Sequence, residues 1–201
     1  MKINTRSITL AATLAALCFV TGLLPYVFFL PVTVAAATLS AGVVAFVGLA
    51  FGVVSIVYSF VMPASFVAAA FIQAPYIAIL PRIMAALGAF GVYKLLAHLV
   101  KPQKRGGKIA CIAASSAIGS LLNTALVVGM MFLALPSYAA DGVTLYVAVP
   151  SMLISGGIEC ACMAVLTPPI VLTLERTVLR GRNKLQAGQR SCDGTTDGTK
   201  V

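Results

Sequence analysis

One histidine and five acidic residues are all the imidazole and carboxylate groups that a chain of 201 residues offers. His98 has neither a second histidine nor a carboxylate at helical spacing, so it marks no metal site and reads as interfacial. There is no Ser/His/Asp arrangement, no pair of carboxylates, and no glycine-rich loop followed by the lysine that cradles phosphate. These absences argue against an enzyme and against nucleotide binding by this chain. Uphill transport would then need a coupled ion or a partner that hydrolyses ATP. The five cysteines are odd in number, and Cys160 and Cys162 lie two apart, a poor clamp on a helix. Cys18, Cys111, Cys160 and Cys162 read as small apolar packing residues and Cys192 as a free thiol.

Charge is scarce too. Charged residues make up 9% of the chain against 60% hydrophobic, and mean hydropathy is +1.03. No soluble core needs so much apolar sequence. A helix needs ~20 apolar residues to cross ~30 Å of hydrocarbon, and blocks of that length recur. The chain is therefore expected to be a polytopic, all-α membrane protein.

The cations that are present fall in clusters: Lys2 and Arg6; Lys94, Lys101, Lys104, Arg105 and Lys108; then Arg176, Arg180, Arg182 and Lys184, with Arg190 and Lys200 in the tail. Basic residues gather at cytoplasmic flanks. A formal charge of +9 placed this way fits anionic lipid headgroups, not nucleic acid. Six crossings with both termini cytoplasmic put every Lys and Arg except Arg82 inside. The expected helices are 7–24, 32–39, 43–61, 75–99, 109–135 and 143–174, the last broken at Pro150 or Gly156-Gly157. Residues 32–61 can also be read as one long helix. Residues 25–31 form an aromatic outer connection with Tyr26, Phe28 and Phe29 at interface depth, and 62–74 and 136–142, the latter containing Asp141, are outer loops. Residues 1–185 thus form a single six-helix membrane domain, its N-terminal helix retained, and 186–201 a disordered cytoplasmic tail.

Ionisable groups at membrane depth are costly and face a cavity, a partner or each other. Those here are Arg82 and Glu159, joined by the amides of Gln73 and Asn123; Lys94 and Glu175 sit near helix ends and can snorkel. Arg82 and Glu159 have two readings. They form a buried ion pair, or they line an outward-facing cavity where the planar guanidinium of Arg82 holds a carboxylate. Asn123, with Thr124 after it, offers a donor and an acceptor from a third helix. Arg82, Asn123, Glu159 and Gln73 are the candidate substrate-binding residues.

Five stretches resemble the substrate-binding S components of energy-coupling factor (ECF) vitamin transporters. Leu10-Ala-Ala-Thr-Leu-Ala-Ala-Leu17 carries the pairs Ala11/Ala15 and Ala12/Ala16, similar to that family's small-xxx-small motif. Gly48-Leu-Ala-Phe-Gly-Val-Val-Ser55 resembles its glycine-rich third helix. Ala78-Ile-Leu-Pro-Arg82 resembles an "ILPR" helix entry, Gly119-Ser-Leu-Leu-Asn-Thr124 a "G-x-L-x-N-T" pattern, and Gly157-Ile-Glu159 with Pro168-Pro-Ile170 the last helix. The likeness spans residues 5–179. Two departures stand out: Ser40-Ala41-Gly42 lacks a proline frequent in that turn, and 62–74 carries no charge.

The resemblance implies a non-enzymatic subunit of a prokaryotic plasma membrane that captures a water-soluble vitamin from outside. Loops 1, 3 and 5 would close over the vitamin before the subunit topples on docking. Ala11, Ala12, Ala15 and Ala16 would pack on a transmembrane coupling subunit (T component), and two cytoplasmic ATPases would supply energy; no cofactor is implied. The combination is most similar to the pantothenate type, with Arg82 on the carboxylate and Asn123 and Glu159 on hydroxyl and amide groups; folate and riboflavin come next. A different class remains open: a stand-alone carrier or channel for a small organic anion, coupled to an ion, with Glu159 as proton site. A lipid-membrane scaffold or enzyme is disfavoured by the missing catalytic residues.

Overall fold

A computed structural model describes residues 5–22, 27–61, 66–100, 105–134 and 149–193. Its elements are helices α1 (Thr5–Thr21), α2 (Leu30–Thr38), α3 (Ala41–Val61), α4 (Phe66–Gln73), α5 (Tyr76–Val100), α6 (Arg105–Ala134) and α7 (Val149–Asp193), with no strand among the described residues. Four helical stretches are long and apolar enough to cross a membrane: α3, α5, Gly106–Ala134 of α6 and Val149–Thr177 of α7. The apolar part of α1, Ile8–Thr21, is shorter. Valine-rich α3 would be a poor helix in water. In hydrocarbon only a helix satisfies its backbone internally, and its buried Ser55 and Ser59 return their hydroxyls to Phe51 O and Ser55 O at 2.9 and 2.8 Å.

The long helices form an antiparallel series. Gly48 of α3 lies against Ala86 and Ile83 of α5 while Gly52 lies against Ile79, so the two chains run in opposite directions. A Cβ on Gly52 would sit 2.9 Å from Ile79 Cα and 3.2 Å from Ala78 O, so only glycine permits this crossing. Gly119 of α6 meets Ala89 of α5, and Gly88 meets Leu122. Between α6 and α7, the Ser116 hydroxyl donates to Met163 O at 3.2 Å, Thr124 abuts Gly156, and Lys108 pairs with Glu175. The last contact marks the basic end of the bundle.

Helix α2 packs against α1, α3, α5 and α7. Every residue from Leu30 to Ala36 is buried. At nine residues it spans only ~13 Å. Thr33 and Thr167 share a hydrogen bond of 3.1 Å between hydroxyls, and Phe29 lies beside Gly119 and Glu159, so α2 runs parallel to α7. Gly119 is opposite Ala89, thirteen residues into α5, so α2 begins near mid-depth.

Several expectations need correction. Part of the stretch 62–74, read as a loop, is the helix α4, because an uncharged apolar segment at that depth gains from closing its own hydrogen bonds. Helix α7 continues unbroken past Pro150 and Gly156-Gly157, and Gly156 serves instead as the close approach to Thr124. The expected division of residues 32–61 into two helices holds, and the alternative of one long helix does not: the chain parts at Leu39, whose backbone is extended at φ −114° and ψ 174°. Phe29 is fully buried and Phe28 half-buried against Phe51 and Tyr58, not at an interface. Helix α7 also runs through Asp193, into the stretch read as a tail. Tyr26, Asp141 and residues 143–148 lie outside the described residues.

Candidate functional site

Two separate apolar clusters divide the bundle. One joins Phe29, Val32, Phe51, Ala85, Ala86, Ala89, Ile112 and Met163. The other joins Ala70, Phe71, Ala74, Ile77, Ala78, Val127 and Met131 toward the end opposite the basic residues. Along α5, Arg82 falls between Ala78 of one cluster and Ala85 of the other. Along α6, Asn123 and Ser120 fall between Val127 and Ile112. A polar layer therefore separates two greasy ones.

Arg82 is 6% exposed. A helical side chain leans toward the N-terminus of its helix; accordingly Nη1 donates to Ala78 O, one turn back, at 2.9 Å. The guanidinium lies over Phe51 at 5.0 Å and Phe71 at 4.7 Å. Nε has no hydrogen-bond partner among the described residues. Two cation–π contacts supply roughly 2 kcal/mol or more each when desolvated, and one hydrogen bond to a charged group about 1.5–3. Burying an unpaired cation costs several kcal/mol. These contacts are of the same order as that cost, and the Nε–H is the part of the guanidinium they leave unmet.

Asn123 is 8% exposed and Ser120 is fully buried. They lie three residues apart on one face of α6. Among the described residues Asn123 Oδ1 and Ser120 Oγ, like Arg82 Nε, lack a partner. The contrast with the other buried hydroxyls is informative. Thr21, Thr33, Ser55, Ser59, Ser115 and Ser116 all bond to a carbonyl three or four residues back, while Ser120 does not. Each unpartnered buried group costs ~1–3 kcal/mol.

Glu159 is partly buried on α7, in the neighbourhood of Phe29 and Ser120, and the Ser120 hydroxyl makes no bond to it. Arg82 acts on it only across a distance. Among the described residues the ion pair is Lys108–Glu175, at 2.7 Å and half-exposed, so the buried Arg82–Glu159 pair is not formed. The helix registers place Arg82 roughly 9 Å nearer the non-basic end than Glu159.

The structure thus brings Arg82, Asn123 and Glu159 into one region and leaves Gln73 exposed at the end of α4. Of the alanines on α1, Ala11 is buried in the core and Ala15 half-buried, whereas Ala12 and Ala16 face outward. Ser120 and Phe71 were not among the candidates. Ser120 was legible as the residue one turn before Asn123 on the same helical face; Phe71, distant in sequence, was not. The unmet hydrogen-bonding capacity is that of a cation at Arg82, an acceptor at Asn123 and a hydroxyl at Ser120. No protein-family model matches the sequence, and no curated protein shows significant similarity to it.

Proposed function

We propose that this chain is the substrate-binding membrane subunit of an ATP-driven vitamin importer of the energy-coupling factor type, taking a small carboxylate vitamin such as pantothenate. The observation that carries the reading is the set of three buried, unpartnered polar atoms, Arg82 Nε, Asn123 Oδ1 and Ser120 Oγ, between two apolar clusters. They ask for an acid at one end and a hydrogen-bonding group about one turn deeper. That is the chemistry of a hydroxy-acid or amide-bearing acid, and it agrees with the sequence resemblance. Phe71 of α4 lies over the arginine as a cover on the side of solute entry.

In this proposal α1 and α2 make up the six crossings with α3, α5, α6 and α7, and both termini are cytoplasmic. The outward alanines Ala12 and Ala16 form the face for the transmembrane coupling subunit, since small residues allow close helix crossings in lipid. Two ATPases on that subunit provide the energy.

Calorimetry of the detergent-purified protein with pantothenate, folate and riboflavin tests the reading. The expected result is tight one-to-one binding of one of them. Arg82→Ala should weaken it by roughly 2–5 kcal/mol, as when a buried charged contact is cut. No heat with any vitamin counts against the proposal. A stand-alone ion-coupled carrier is the second reading, favoured by an acidic residue, Glu159, in the bundle core. Gradient-driven uptake by proteoliposomes containing this chain alone would select it.

A further inference from the structure

Arg82 has two kinds of surface, and the fold closes one of them. The flat faces of a guanidinium carry no N–H; all its donors lie in the plane, along the edges. Phe51 and Phe71 stand over the central carbon at 5.0 and 4.7 Å, and they belong to the two separate clusters on either side of the polar layer. Neither ring has room to withdraw. Phe51 is 1% exposed and packed edge-on against Phe28 and Phe29, with ring centroids 4.5 and 5.6 Å away, and Phe71 is buried. The edges are treated differently. Nη1 donates to Ala78 O at 2.9 Å, and that carbonyl is fixed by the crossing of α3 and α5, where a Cβ on Gly52 would stand 3.2 Å from it. The Nε–H has no partner among the described residues. In any guanidinium the Nε–H runs parallel to one Nη2–H, so the edge bearing it is a fork of two donors.

We infer that Phe51 and Phe71 set which anions Arg82 accepts: they leave it open only along the Nε edge, so the site takes a flat carboxylate and rejects tetrahedral oxyanions such as sulfonates and phosphonates. A carboxylate can lay both oxygens, and the carbon that carries them, in the guanidinium plane. It then pairs with both donors of the fork and touches neither ring through an oxygen. A tetrahedral anion cannot do this. With two oxygens on the fork, its third oxygen leaves the plane on one side and its substituent leaves on the other. The third oxygen meets a phenyl face, which is the negative side of the ring quadrupole and offers no donor. It is desolvated without a hydrogen bond, a cost the carboxylate escapes. A phosphonate dianion also brings two charges to a layer whose one cation among the described residues is Arg82.

This selection deepens the proposed function and rests on it for the natural ligand, but its test does not need the vitamin. The full chain in lipid nanodiscs, carrying isotope-labelled arginine, is titrated with sodium propionate and with sodium ethanesulfonate, which differ only in the anionic head. The readout is the NMR resonance of the Arg82 Nε–H, identified by its loss in Arg82→Lys. Propionate should shift it, and ethanesulfonate should bind about tenfold more weakly or worse, the scale of one unpaired polar oxygen. Phe71→Leu keeps an apolar side chain but removes one ring face, and should narrow that gap by roughly threefold or more. Equal responses of the wild type to the two salts overturn the inference, as does silence to both or an unchanged gap in Phe71→Leu. If Phe71→Leu does not fold, the wild-type comparison still decides. The two readings fail separately. Selectivity for propionate with no heat from any vitamin sinks the importer alone, and a bound vitamin with equal responses to the two salts sinks the selection alone.

Discussion

Arg82 and Glu159, ionisable residues of opposite sign in the same bundle core, do not meet. The guanidinium reaches back along α5 to Ala78 O and Phe71, and Glu159 lies in the neighbourhood of Phe29 at the start of α2. A layer containing Asn123 and Ser120 lies between their levels. Had the two met, the cluster of unpartnered atoms would have been a satisfied structural bridge. Because they do not, the layer retains unmet hydrogen-bonding capacity.

Replacing Arg82 by lysine should not preserve function. Lysine keeps the charge but loses Nε and the flat surface that stacks between Phe51 and Phe71. Under the proposed function, vitamin affinity measured by calorimetry is expected to fall by about tenfold or more. Wild-type affinity in that variant would reduce the arginine's role to charge alone.

Asn123→Leu and Ser120→Ala should show a trade-off. Each removes an unpartnered buried atom, so the ligand-free protein is expected to melt at the same temperature or higher in a detergent thermal-shift assay. Binding should weaken by ~1–3 kcal/mol per lost hydrogen bond. A clear drop in ligand-free melting temperature would mean that these atoms serve the fold.

Gly52→Val should separate α3 from α5. The new side chain would push into the Ile79 and Ala78 backbone, the same carbonyl that holds Arg82. Overpacking of this kind costs roughly 1–3 kcal/mol, and affinity should drop with stability. Gly91→Ala is the control, since its Cβ meets nothing within 4 Å. Equal effects at both positions would contradict the crossing.

The Lys108–Glu175 bridge should contribute little. Its side chains are 36% and 30% exposed, and such pairs supply about 0–1 kcal/mol. Lys108→Ala should shift the melting temperature by only a few degrees, less at high salt. A large loss would show that the bridge locks α6 to α7 more strongly than its exposure allows.

Hydropathy made the membrane class and the long helices legible, because the length of an apolar run is a property of the chain alone. The core positions of Arg82, Asn123 and Glu159 were legible for the same reason: a polar residue inside such a run must be compensated. Helix α4 was missed because a proline-flanked apolar stretch of eight residues has no periodic signature of its own. The break expected at Gly156-Gly157 failed because glycine weakens a helix in water, yet in a tight bundle it also permits contact, here with Thr124.

Sequence by itself settled what kind of solvent surrounds this protein and which few residues could not be left facing it. Tertiary structure alone decided partnership. Whether Arg82 and Glu159 join, whether Ser120 bonds backward or stays open, and which alanines of α1 turn inward all depend on helix register and rotation. Those quantities arise from close contacts at Gly48, Gly52 and Gly119 between helices far apart in the chain. A one-dimensional pattern records which side chains are polar; only the packing of backbones determines what each can reach.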